Sequence, residues 1–112
     1  MGYSIYKYSS QEADNINLGQ GGVAFLSDTS ALTPPSGQVI IAIQVVGSGT
    51  KIAALVAEDP TRWFNTVSAA YSGQNGDTWD TAQALYTGFT LHGRWTSLTL
   101  ASNSAVIVYF GD

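Results

Sequence analysis

The chain has 112 residues, 45% of them hydrophobic but only 11% charged, and its eight acidic and four basic residues give a formal net charge of −4. That length fits one domain, and the composition excludes a disordered chain, which combines low hydrophobicity with high charge. The cations Lys7, Lys51, Arg62 and Arg94 are scattered, so the basic cluster that phosphate contacts require is missing and no nucleic-acid partner is expected.

Charge is low against the roughly 25% of typical domains, and 12 Ser and 11 Thr supply much of the polar surface. Without cysteine, disulfides, thiolate catalysis and cysteine zinc sites are ruled out. The first residues lack a basic region followed by an apolar run, so no secretory signal is expected. Apolar runs such as residues 39–43 fall far short of the roughly 20 residues of a membrane helix, and no membrane partner is expected.

In chain order, Tyr3, Ile5, Tyr6 and Tyr8 form an aromatic arm. It reads either as an edge segment folded onto its own core or as an arm reaching a neighbouring subunit, where tyrosine buries large area yet keeps a polar tip. Gly19, Gly21 and Gly22 follow. Their spacing matches neither a P-loop nor a dinucleotide loop, and they read as turn glycines. Residues 23–26 (VAFL) predict a short strand, and residues 28–37 with Pro34 and Pro35 a loop.

Residues 38–46 (QVIIAIQVV) are rich in β-branched side chains and predict a central strand. Residues 47–50 (GSGT) predict a hairpin connection to a partner strand at 51–58 (KIAALVAE). Beyond Asp59 and Pro60, which suit a helix start, Trp63, Phe64, Val67, Ala70 and Tyr71 form a helical stripe. The intervening Asn, Thr, Val and Ser are weak helix formers, so 60–72 stands open between helix and loop. Residues 72–78 are turn-rich, and 79–86 predict a further helical turn capped by Asp77 or Thr78. Strands are predicted at 89–95, 97–102 and 105–110, with a turn at 102–104. Leu98 and Leu100 alternate with Thr99, giving one buried face. Gly93 inside a strand marks a bulge or a close backbone approach.

Candidate chemistry is sparse. His92 is the only histidine; no G-x-S-x-G elbow accompanies it, and it reads as a solvent-facing strand residue. Asp77, Asp80 and Asn75 lack the EF-hand spacing and read as turn formers. Glu58 and Asp59 would point to opposite faces of a strand, which does not suit a shared acid/base site. They read as solvent-facing or paired with Arg62. Neither an enzyme activity nor a cofactor is therefore expected. Trp63, Trp79 and Trp95 fill a core, supply interface hot spots or stack on sugar rings. Because Arg94 and Trp95 are adjacent on a strand, one faces inward and the other outward.

Residues 88–98 (GFTLHGRWTSL), followed by Leu100, Ala101, Ser102 and residues 105–109 (AVIVY), resemble small virion structural proteins of tailed bacteriophages, especially those of cyanobacterial and marine hosts. In their C-terminal pattern a glycine stands where this chain has Asn103, which also tolerates left-handed turn angles. Residues 34–44 and 57–66 are similar to upstream segments of such proteins, so the resemblance spans roughly residues 34–110. It implies no catalytic residues. It implies a β-rich subunit assembling on a particle, as a head decoration (cement) protein or as a fibre, knob, neck or tail component. The expected fold is thus a mainly β, antiparallel β-sandwich or jelly-roll-like single domain with one or two short helical turns, residues 1–20 being a candidate arm. The expected function is a capsid decoration protein in the virion. Its expected partners are further copies of itself, as a trimer, and the major capsid protein. The alternatives are a tail, neck or fibre protein and a carbohydrate-binding module using Trp63 or Trp79. The candidate interface residues are Tyr3, Tyr6, Tyr8, Trp63, Phe64 and Arg94.

Overall fold

The computed structural model describes residues 21–112; the aromatic arm with Tyr3, Tyr6 and Tyr8 lies outside them. The fold is mainly β, as expected. Strands β1 (Val23–Leu26), β2 (Val39–Val45), β3 (Ile52–Ala57), β4 (Thr90–Leu100) and β5 (Val106–Gly111) form one antiparallel sheet in the order β1-β5-β2-β4-β3.

This sheet folds over itself. The first half of β4 pairs with β2, Thr90 opposite Gln44 and Trp95 opposite Ile40, while its second half pairs with β3, Leu98 opposite Leu55. Gln44 also pairs with Ile107 near the start of β5. A flat β4 would place Leu100 about 33 Å from Thr90, yet residues 101–105 let Leu100 and Val106 lie at most about 22 Å apart. The strand must therefore curl. Two irregularities in β4 accommodate this, since bulges bend strands and increase their twist: an extra residue at 93–94, where Ile40 pairs with Trp95 but Ala42 with His92, and one at Thr96, where Val56 pairs with Ser97 but Ala57 with Trp95. The result is sandwich-like: β3 and the end of β4 close over β1, β5, β2 and the start of β4.

Side chains from both layers meet between them. Ile40, Ile43, Ile52, Leu55, Trp95, Leu98, Val106 and Val108 are all fully buried. Period-two alternation explains this in β5, where Val106, Val108 and Phe110 face inward and Ile107 and Tyr109 outward. Trp95 points in and Arg94 out, the split expected for adjacent strand residues. Gly93 is the close approach expected of it, because a Cβ there would lie 2.7 Å from the Trp95 ring. Asn103 takes the left-handed conformation at the β4–β5 turn, with φ 63°.

Three local readings are decided by the backbone. First, β2 and β3 are not hairpin partners; β4 lies between them. The tight turn itself forms, Thr50 N–H donating to Gly47 O at 3.3 Å, but the chain on either side of it is drawn to other segments. Gly47 N–H donates to Ala105 O at 3.1 Å, Gly49 N–H to Leu85 O at 2.9 Å, and Leu85 N–H to Thr50 O at 2.8 Å. Second, residues 60–72, which stood open between helix and loop, are loop. Trp63 N–H reaches Asp59 O at 3.1 Å, a single turn. The Asn65 carboxamide oxygen then takes the N–H groups of Val67 and Ser68, both at 2.9 Å, which a helix would need. The only helical element among the described residues is the 3-10 turn Ser72–Gln74, flanked by Tyr71 and Asn75 at φ 55° and 70°. At 79–86 one bond from Gln83 N–H to Asp80 O closes a turn, and Asp80, not Asp77 or Thr78, accepts from Ala82 N–H. Third, the strands expected at 89–95 and 97–102 are one continuous strand.

Candidate interaction surface

The outward face of the first layer begins at β1. Val23 and Phe25 are 53% and 64% exposed, and their register partners Tyr109 and Ile107 are half-buried beside them. Next come Gln44, Thr90 and His92 on β2 and β4. The Tyr109 hydroxyl donates to Gln44 Oε1 at 2.9 Å, tying β5 to β2 across this face. None of these residues carries a formal charge when His92 is neutral. The low charge of the sequence is thus concentrated in one place: a neutral face, apolar at its β1–β5 corner.

Arg94, at the end of this face, is neutralised locally. Its Nε donates to Glu58 Oε1 at 2.6 Å and its Nη1 to the Asp112 backbone carbonyl at 2.9 Å. Glu58 therefore pairs with Arg94, not with Arg62 as the sequence suggested. The Arg94 hydrogen bond holds the Glu58 carboxyl below its ordinary value, and the same bond raises the Arg94 guanidinium. Because Glu58 is lowered on folding, the pair stabilises the fold above the ordinary carboxylate value. That contribution is lost as pH falls through the lowered one. Both side chains are solvent-accessible, so the effect is small and screened by salt. Glu58→Gln is expected to flatten the acid limb of stability against pH, measured by urea unfolding at low and high salt. An acid limb as steep as that of the parent chain would show that other carboxylates carry it.

Of the other sequence candidates, Trp63 and Phe64 are half-buried and pack against the core. Phe64 stacks on Trp79 with ring centroids 5.1 Å apart and lies 5.2 Å from Trp95, and Arg62 covers the Trp63 ring at 5.8 Å. Trp79 is also half-buried against the core, so the indoles proposed as sugar platforms are largely spent on packing. Trp63–Phe64 and Arg94 fall in separate environments and form no single site. Sequence reasoning missed the aromatic pair Tyr86 and Phe89, 69% and 51% exposed, which flank an open hollow of about 200 Å³ lined also by Gln83, Ala84 and Leu85. It also missed the exposure of Val23 and Phe25, since all four residues of VAFL are apolar. His92 is exposed, as expected. Among the described residues, no three His, Asp or Glu side chains lie close enough to hold a metal ion.

No protein-family model, curated protein or solved structure matches this chain.

Proposed function

We propose that the chain is a structural virion protein without catalytic activity, a decoration (cement) subunit that binds the outer surface of a bacteriophage capsid and stabilises the shell. Two things support this reading: the C-terminal pattern shared with small phage virion proteins, and the neutral outward face. The second carries it. A face without formal charge neither repels identical neighbours nor requires desolvating an ion on contact, and burying its apolar corner is favourable by about 25 cal/mol per Å². Repetition on a lattice turns weak single contacts into firm retention. The major capsid protein and further copies of this chain, as a trimer, are the partners, and the virion, assembled in the host cytoplasm, is the location.

The test is copy number per particle by quantitative mass spectrometry of purified virions, with binding of the recombinant chain to stripped capsids. A copy number commensurate with the major capsid protein is expected. A few copies per particle would favour a tail, neck or fibre position. No retention on capsids, together with binding to neutral glycans that Tyr86→Ala abolishes, would favour a carbohydrate-binding module. The Tyr86–Phe89 hollow is the feature that supports that second reading.

A further inference from the structure

The two edges of the sheet are treated differently. On β3, Thr66 clips Leu55 from outside: Thr66 N–H donates to Leu55 O at 2.9 Å, and Leu55 N–H donates to Thr66 Oγ1 at 3.0 Å. That edge is also bulged between Ile52 and Ala54. On β1, the one usual edge defence among the described residues is its shortness, four residues. Its pairing with β5 has no bulge, and residues 22–27 (GVAFLS) contain no charge and no proline. Open, apolar edges of this kind pair with other strands.

The register fixes which groups β1 offers. Phe110 N–H donates to Gly22 O at 3.0 Å, and bonded pairs alternate in an antiparallel ladder. Gly22, Ala24 and Leu26 therefore point their backbone groups at β5. Val23 and Phe25 point theirs away from the sheet, and these are the two residues with exposed apolar side chains.

We infer that the β1 edge pairs with the β1 edge of a second copy of this chain, antiparallel about a two-fold axis through Ala24. In that arrangement Val23 of one copy lies opposite Phe25 of the other, and vice versa. All four outward N–H and C=O groups on each edge find partners. The contact is self-complementary, as a two-fold interface must be, and no like charges meet. Four-residue strands give an interface well below the roughly 1,200 Å² of stable complexes, so the contact is weak in dilute solution. It goes beyond the proposed function and does not depend on capsid binding.

The absence of cysteine makes the test direct. Ala24 would face its counterpart in a non-bonded pair with Cα atoms about 4.5 Å apart, within the range a disulfide accepts. In the full chain, Ala24→Cys treated with oxidised glutathione is expected to give a disulfide-linked dimer several-fold faster than the control Ala53→Cys on the exposed side of β3. Sedimentation equilibrium at about 0.1–1 mM protein should show mass rising with concentration. Phe25→Lys should weaken that association at least about tenfold, with an unchanged far-UV spectrum. Equal cross-linking at both cysteines, or association indifferent to Phe25→Lys, would overturn the inference. So would a full-length chain that stays monomeric and dimerises only after deletion of residues 1–20, which would make its own N-terminal segment the occupant.

Discussion

Trp95→Ala is expected to cost about 3–5 kcal/mol, a large share of the roughly 5–15 kcal/mol that holds a typical domain folded. The indole is fully buried where the two layers meet. Its register partners are Ile40 on one side and Ala57 on the other, so it sits where β4 passes from the first layer to the second. Its ring fills the space over Gly93, contacts Phe64, and donates from Nε1 to Phe64 O at 2.9 Å. The indole thus joins the sheet to the long loop at 58–88. Removing it takes away apolar burial, leaves a cavity between rigid layers, and strands the Phe64 carbonyl. Trp95→Phe separates these effects: most of the ring volume stays and the hydrogen bond goes, for an expected loss of about 1–3 kcal/mol. Urea unfolding of both variants measures the difference. An alanine variant losing less than about 1 kcal/mol would show that the layers collapse onto the gap and that the indole does not organise the bend.

How much of this was legible beforehand follows the range of each interaction. β2 and β5 could be read because β-branched runs with inward alternation are local properties of residues 39–45 and 106–110. Asn103 and Gly93 could be read because each answers a local backbone demand. The sheet order could not. Residues 47–50 do turn, but they are also tied to Leu85 and Ala105, far along the chain, and the strands they join do not pair with each other. The curl of β4 depends on the irregularities at 93–94 and Thr96, which exist only relative to β2 and β3. The stripe at 63–71 looked helical because Phe64 and Ala70 are buried or half-buried. They belong instead to a loop that Thr66 fastens to the outer edge of β3 at Leu55, and periodicity alone does not separate the two. The surface was harder still. Val23 and Phe25 belong to a strand whose four residues read equally well as core, and their exposure follows from an edge position that only the full sheet order reveals. Trp63 and Phe64 drew attention as large aromatics, yet size predicts burial as readily as contact with a partner.

Asn65 is the residue on which the loop at 58–88 turns, and substituting it should nearly match the cost at Trp95. It is a fully buried polar side chain. Its Oδ1 accepts from Val67 and Ser68 N–H, and its Nδ2 donates to Trp63 O at 2.9 Å and to Pro60 O at 3.3 Å. Its own backbone carbonyl accepts Trp79 N–H at 2.8 Å, which positions the ring that stacks on Phe64. Asn65→Ala leaves two donors and two acceptors without partners, at about 1–3 kcal/mol for each one that stays buried. Because part of the loop can open to water, a total of about 3–4 kcal/mol is expected. Asn65→Asp is the sharper experiment. It keeps the acceptor for Val67 and Ser68 but sets an oxygen against the carbonyls of Trp63 and Pro60. Only a protonated carboxyl can donate there, so folding raises the pKa of this group. Its contribution is full below the unfolded carboxylate value of about 3.9 and is lost as pH rises through the raised folded value. Urea midpoints of Asn65→Asp should therefore fall from about pH 4 to pH 7 relative to those of the parent chain, and the Val67 and Ser68 amides should exchange faster over the same range. A variant that gains stability with rising pH would mean that the two N–H donors outweigh burial and the two carbonyls and hold the new carboxyl ionised.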